Sequence, residues 1–324
     1  MNIVEFAKAA KVSTATVSRA FHEQDKLRPE TRTRILALAR SIGYYPNPSG
    51  RAMKRGRYDV VGLIWPLEVE GPEADFAQRV LGALTQHLVA RDLDLLLCPV
   101  DRRESSTVSH AARTLARSRC DSWILLYPRR NDKISDALRV ARKPVVCLMG
   151  AIPGSSEWRS VQLDQTAWMA DALARLARAG CRRVALYGKR PGELDHEERH
   201  DTFLELAPRW FKSQAFAIPE WPPDPTGVAK EFRENRIDGI IGIDDRAAVA
   251  AMQACRLNRL AVPAQVKVVG IDDSQAARHA QPALSSYRQP LDEMAGCALE
   301  IALGERKRSR RFEATFVGRE SLPG

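Results

Sequence analysis

The chain has 324 residues, enough for two or three folding units, with 44% hydrophobic and 28% charged residues, as expected of a soluble globular protein. No run of about 18 apolar residues is present to span a membrane. Six well-separated cysteines without a C-x-x-C pair argue against a zinc site and a disulfide framework. Met1–Lys8 lacks the apolar core of a signal peptide, so a cytoplasmic location is expected. The charge is uneven: residues 1–58 hold twelve Lys/Arg against four Asp/Glu, or +8 of the chain's +10. A basic first sixth on a near-neutral remainder points to an appended nucleic-acid-binding module.

In chain order, Ile3, Phe6, Ala7 and Ala10 keep helical spacing and predict a first helix with a buried stripe. Lys11-Val12-Ser13 then leads into a second helix over about 14–21, with Ser13 as its N-cap. Thr14, Ala15 and Ser18 share roughly one face of it. A short helix showing small polar residues and Arg19 fits a DNA major groove. Pro29 suits the first turn of a third helix, whose stripe is Thr31, Ile35, Leu38, Ala39 and Ile42, with Gly43 as its stop. Two short helices joined by a tight turn and backed by a third form a helix-turn-helix unit.

From Asp59 onward, short β-rich runs alternate with helical stripes. Strands are expected at 60–65, 93–98, 123–127 and 145–149, with helices at 74–91, 106–118 and 132–142. A second set follows, with strands at 184–187, 215–218, 239–243 and 266–271 and helices at 166–179, 197–207, 226–236 and 245–258. Nearly continuous apolar strands separated by amphipathic helices imply parallel sheets covered on both faces. Two such sets imply two doubly wound parallel-sheet subdomains, with a ligand site between them at the strand carboxyl ends.

The run Phe6-Ala7-Lys8-Ala9-Ala10-Lys11-Val12-Ser13-Thr14-Ala15-Thr16-Val17-Ser18-Arg19, followed by Pro29-Glu30-Thr31-Arg32 and Ile42-Gly43-Tyr44-Tyr45-Pro46-Asn47, resembles the lactose-repressor (LacI/GalR) family of transcription regulators. The likeness continues, more loosely, through Asp244-Asp245, Val268-Val269-Gly270-Ile271-Asp272-Asp273 and Pro282-Ala283-Leu284. It implies an all-α helix-turn-helix head (1–45), a hinge (46–58) and an α/β periplasmic-binding-protein-like core (59–324) for effector binding and dimerisation. The core would divide into a first subdomain of about 59–161 and 291–318 and a second of about 162–290 and 319–324.

The resemblance also assigns roles. Thr14, Ala15 and Arg19 would face base edges, with Arg19 bidentate to guanine, while Ser13, Thr16, Ser18 and Asn47 would contact phosphate or cap a helix. For Thr16 and Val17, plain helix packing is the alternative. In the hinge, Arg51 and Lys54 would meet the DNA backbone, and Met53 would wedge into the minor groove. Pro48 and Gly50 disfavour a free helix there, glycine by about 1 kcal/mol relative to alanine, so the hinge is expected to order only on DNA.

For the effector, Arg199 and Asp245 are the expected polar contacts, with a structural ion pair as the alternative. Phe76 and Trp221 would line the ligand or else belong to the core. Trp168 and Thr202 stand where the family has glycine, and Asp244 and Gln165 where it has asparagine; Trp168 would narrow the pocket or face solvent. The expected partners are a pseudo-palindromic operator in double-stranded DNA, a sugar, sugar acid or purine-like effector, and a second copy of the chain. A dimer rather than a helix-bundle tetramer is expected, because no leucine heptads follow residue 319.

No P-loop, G-x-G-x-x-G, G-x-S-x-G or H-E-x-x-H motif occurs, so no catalytic residue, cofactor or metal is expected. His196 and His200, four apart, read as surface residues. A sugar-processing enzyme fused to a DNA-binding head is the competing class.

Overall fold

The computed structural model describes residues 1–323 except 23–25, 46–55, 68–71, 118, 156, 213–214 and 220–223; the side chains of residues 22 and 72–74 are likewise left aside. The expectations for Asn47, Arg51, Met53, Lys54 and Trp221 therefore lie outside the described residues. The chain forms two compact units, 1–59 and 60–324.

The first unit has three helices, α1 (Ile3–Ala9), α2 (Thr14–His22) and α3 (Pro29–Ser41). Asn2 caps α1 in a reciprocal box with Glu5. At its other end Lys11 adopts φ 54°, and the amides of Lys11 and Val12 close back onto the carbonyls of Lys8 and Ala7. This is the two-bond left-handed stop, made without glycine, and it turns the chain sharply into α2. Ser13 then caps α2: its Oγ accepts from the Thr16 amide at 3.1 Å and lies 2.9 Å from the Thr16 hydroxyl. Gly43 ends α3 with the same left-handed geometry, at φ 65°.

The core of this unit is Phe6, Ala7, Ala10, Val17, Ala20, Ile35, Ala39 and Tyr44, with the Phe6 and Tyr44 rings stacked 4.0 Å apart. The expected stripes run too long, since Ile3 and Ile42 at the helix ends are 37% and 42% exposed. Two of the basic residues hold the unit together: Arg32 Nε donates to the Ala20 carbonyl and Arg34 Nη1 to that of Ala10. They satisfy carbonyls at the ends of α1 and α2 that a short helix leaves open.

The second unit contains two six-stranded sheets. The first comprises β1 (Val60–Pro66), β2 (Asp94–Val100), β3 (Ser122–Leu126), β4 (Val145–Leu148), β5 (Arg159–Leu163) and β11 (Arg310–Phe312), in the all-parallel order β11-β5-β4-β3-β1-β2. Helices α4 (Pro72–Val89), α5 (Ser105–Arg117) and α6 (Lys133–Ala141) link its strands. The second sheet comprises β6 (Val184–Tyr187), β7 (Ala215–Ile218), β8 (Gly239–Gly242), β9 (Lys267–Ile271), β10 (Ser285–Arg288) and β12 (Thr315–Val317), in the order β12-β10-β9-β8-β6-β7. Only the β10–β12 pair is antiparallel there. Around it lie α7 (Gln165–Arg178), α8 (Leu194–Leu206), α9 (Pro208–Phe211), α10 (Pro225–Glu234), α11 (Asp245–Leu257) and α12 (Gln275–His279).

The chain passes between the two lobes three times. It leaves the first after β5, returns after β10 through α13 (Leu291–Ala302), which packs on β3, β4 and β5, and crosses again between β11 and β12. The last passage falls earlier than expected: 315–317 pair with β10 in the second sheet, not with the first lobe as the 291–318 assignment has it. Four strands (β5, β10, β11, β12) and three helices (α9, α12, α13) were not anticipated. Among the described residues no helix is long and apolar enough to cross a membrane.

Phe6→Ala removes the ring at the centre of the small unit, a change of about 3–5 kcal/mol for a buried phenylalanine. The expected outcome in the full chain is a fall in helical ellipticity with the main calorimetric transition of the 60–324 unit unmoved. A loss of both together would mean that the two units do not unfold separately.

Candidate DNA-reading face and ligand cleft

On α2, Ser13, Thr14, Ala15 and Arg19 are exposed, Thr16 and Ser18 are partly covered, and Val17 is fully buried. The helix therefore turns Val17 into the core and leaves Thr14, Ala15 and Arg19 outward on a short, capped, basic element. Thr16 uses its hydroxyl on Ser13, which makes both residues cap as well as surface.

In the large unit, a narrow cleft is lined by Phe76, Tyr127, Arg190, Glu193, Asp195, His196, Arg199, Asp244, Asp272 and Gln289. An adjoining compartment shares Asp195, Arg199 and Gln289 and extends to Gly150, Gln162 and Glu198. Five of the ten wall residues sit just past the carboxyl end of a strand: Tyr127 after β3, Arg190 after β6, Asp244 after β8, Asp272 after β9 and Gln289 after β10. That is where open parallel sheets place ligand sites. Two of these positions are held in left-handed backbone, Tyr127 at φ 50° and Asp272 at φ 117°, conformations that cost energy in a non-glycine residue and that collect at binding sites.

Of the four effector-contact candidates, Phe76 and Arg199 line the cleft together. Asp245 does not. Its Oδ1 accepts from the Ser286 hydroxyl at 2.6 Å and its Oδ2 from the Ser274 amide at 2.7 Å, so it braces α11 against β10 and the start of α12. Gly270 makes room for it, since a Cβ there would collide with Asp245 Oδ1. The cleft position belongs to its neighbour Asp244, the N-cap of α11, which accepts from the Ala247 amide at 2.7 Å.

Trp168 neither narrows the cleft nor faces solvent. It is buried among the second lobe's core residues, against the Tyr287 ring, and donates through Nε1 to Gln165 Oε1 at 2.6 Å. His196 is not a surface residue: it is 5% exposed, lines the cleft, and its Nδ1 accepts from the Arg190 amide at 3.1 Å. His200 is half-buried beside Asp201. Asp272, Tyr127 and Gln289 were missed. For Tyr127 and Asp272 the available signal was position, one step beyond an apolar strand; Gln289 follows the polar strand β10, which carries no such signal.

Similarity to known proteins agrees with this architecture. Residues 2–47 match the model for bacterial regulatory proteins of the lacI family, and residues 173–322 match a periplasmic binding protein-like domain. The head is thus similar to that of the lacI family of bacterial regulatory proteins, and the body to a periplasmic binding protein-like domain. The chain's relatives include the transcriptional regulators GalS of Salmonella typhimurium, 26% identical over 94% of this chain and 89% of that protein, and CelR of Thermobifida fusca, 28% identical over 97% and 96%. Among solved structures, a CelR–cellobiose complex superposes with a TM-score of 0.70 at 25% identity over 99% of both chains. The Lac repressor dimer bound to operator and an anti-inducer gives 0.80 at 18% identity over 100% of this chain and 99% of that one, a likeness of fold. A lacI-type head joined to a binding-protein-like body is the architecture that these transcriptional regulators share with this chain.

Its cleft is rich in buried acid. Arg199 supplies most of the compensation: Nε donates to Gln165 Oε1 at 3.1 Å, Nη1 to the Ile243 carbonyl at 2.8 Å, and Nη2 lies 3.3 Å from Asp195. Burial nevertheless pushes Asp195 up to about 6 and Asp245 up to about 7, and raises Asp244 and Asp272 as well, Asp272 further because Asp245 and Asp244 lie near it. His196 goes the other way, well below its ordinary value, through burial and then Arg199 and Arg190, and is a neutral ring.

A carboxyl raised on folding favours the protonated form, so its contribution to stability falls as pH rises from the unfolded value of 3.8 through the folded one, about 7 for Asp245. Below about pH 4 that penalty vanishes. Asp245→Asn keeps both partners, because the Ser286 hydroxyl can turn to accept while the amide oxygen takes the Ser274 N–H. It should shrink the loss of melting temperature between about pH 5 and about pH 8. Asp245→Ala should instead destabilise at every pH, by about 1–3 kcal/mol for the stranded donors. An unchanged pH slope in Asp245→Asn would assign the titration elsewhere.

Proposed function

We propose that this chain is a ligand-responsive, sequence-specific repressor, built as a head at 1–45, a hinge at 46–58 and an effector-binding and dimerisation domain at 59–324. The observation that carries the reading is the exposed face of α2, Thr14, Ala15 and Arg19, in the same chain as a two-lobed unit whose acids and arginines converge on one cleft. Arg19 reads guanine, Thr14 and Ala15 discriminate by fit and by contact with thymine methyls, and Ser13, Thr16, Ser18 and Asn47 set the register on phosphates. Met53 is the minor-groove wedge, flanked by Arg51 and Lys54 on the DNA backbone. Two copies place two α2 helices on a pseudo-palindromic site. The work is done where the chromosome is, in the cytoplasm.

The ligand is a sugar-like molecule in the cleft. CelR's complex with cellobiose supports that class, as does a wall combining an aromatic ring, Phe76, with acids and arginines. Phe76 packs on one side of the ligand, and Arg199, Asp244 and Asp272 address its polar atoms. Asp245 acts through the Ser274–Ser286 brace. Because the walls come from both lobes, occupancy favours one angle between them, and the hinge passes that angle to the heads.

Arg19→Ala is expected to cost about 1–3 kcal/mol of operator affinity and to flatten preference at one base pair in a binding-site selection. Lys54→Ala should weaken binding to all sequences alike and lower the salt slope by about one. Linkage further requires that operator DNA change the cleft ligand's affinity by the same factor as the ligand changes DNA affinity. Equal ligand affinities by calorimetry with and without operator would refute the coupling.

A further inference from the structure

The cleft's arginines bond largely within its own wall: Arg199 to Gln165, Ile243 and Asp195, and Arg190 Nη1 to Glu193 at 2.7 Å. Carboxylate and amide acceptors are left over as well. Asp195 Oδ1 and Gln289 Oε1 are buried without a hydrogen-bond partner among the described residues, and both side chains border both compartments. The bonds that Asp244 and Asp272 do receive come from neutral groups, the Ala247 amide at 2.7 Å and the Gln289 side-chain amide at 2.7 Å. A buried carboxylate facing only neutral donors costs several kcal/mol unless a cation joins it.

Resting on the reading of this cleft as the effector site, we propose that the effector carries a protonated amine, received by Asp195, Asp244 and Asp272 with Gln289 Oε1 as a further acceptor. A sugar acid fits poorly, because its carboxylate would enter beside Asp195, Asp244 and Asp272. A metal ion fits poorly too. Glu193, Asp195 and His196 do bring donor atoms within 4.8 Å of one another. However, the His196 Nδ1 lone pair is taken by the Arg190 amide, which leaves the ring proton on Nε2, and Glu193 already holds Arg190 and Arg129. An ammonium needs no such lone-pair geometry. It is a point charge with donors in several directions, and it supplies what the wall lacks.

The raised carboxyls make the same inference readable through protons. A cation entering the site forces them to ionise, so binding should release protons and strengthen as pH rises through about 6, the Asp195 value. The other charged or titratable groups facing these acids are Asp245 and Arg246 on α11, His196 and Arg199 on α8, Arg190 and Glu193 before α8, and Tyr127 after β3. Arg79 on α4 donates to the backbone carbonyls of Asp272 and Asp273.

The test is calorimetry on the full chain with D-glucosamine, D-glucose, D-glucuronate, 1,3-diaminopropane and manganese chloride, repeated in buffers of different ionisation enthalpy. Glucosamine should bind roughly tenfold or more tighter than glucose, with proton release that glucose does not show. Asp195→Asn should erode that preference and reduce the proton release on glucosamine binding; proton release in the unmodified chain tests the same point without a variant. Binding of the diamine with no sugar bound would keep the amine inference and overturn the sugar reading. Glucose or glucuronate binding as tightly as glucosamine, or manganese binding ahead of both amines, would overturn the inference and leave the cleft as a ligand site. No binding by any of the five would overturn both.

Discussion

The ligand cleft depends on one guanidinium. Arg199 joins the first residue of α7, the end of the β8 strand and the first turn of α8 in a single set of bonds. It is also the cation nearest to Asp195, Asp244 and Asp272 together, the charge that each of these acids feels in favour of ionisation. Without it, three buried carboxyls, two just past strand ends and one in the first turn of α8, would face each other in a low-dielectric space. Losing one partner of a buried ion pair leaves the other charge uncompensated, which is far worse than never having built the pair.

Contacts between the lobes follow a single polarity. Arginines of the first lobe reach acids or carbonyls of the second: Arg79 to the carbonyls of Asp272 and Asp273, Arg129 to Glu193 at 3.2 Å, Arg130 to Glu197 at 2.7 Å and Arg311 to Glu198 at 2.6 Å. Three of the four land on the stretch that starts α8, the element that also carries Asp195 and Arg199. A change in lobe angle therefore reaches the cleft acids through their own helix. Asp273 is the fixed point beside this moving wall. Burial opposes its ionisation, but Arg319, Arg288 and Arg278 outweigh that and hold its carboxyl below the usual range.

Much of the fold was legible in the residues. The eight strands read from the apolar runs coincide with β1–β4 and β6–β9 to within two residues at either end, and the head's three helices were marked by Ser13, Pro29 and Gly43. What escaped did so for physical reasons. In α13 eight of twelve residues are buried, so it has no polar face and no helical stripe to read. The strands β11 and β12 have three residues each, and β11 is two arginines and a phenylalanine. In the cleft, Phe76 and Arg199 were legible, whereas the Asp244–Asp245 pair was not.

Composition and local pattern determined that this protein has a basic three-helix head and an α/β body of two parallel sheets, because charge, helical period and apolar runs are properties of neighbours in sequence. Which of two adjacent aspartates faces the cleft is not such a property. Asp244 is the cap and Asp245 the first helical residue, and the turn between those positions sends one carboxyl to the cleft and the other to Ser274 and Ser286. Tertiary structure made that decision, because Ser274 and Ser286 lie 29 and 41 residues from Asp245 in the chain, and it also buried Trp168 against the distant Tyr287 ring.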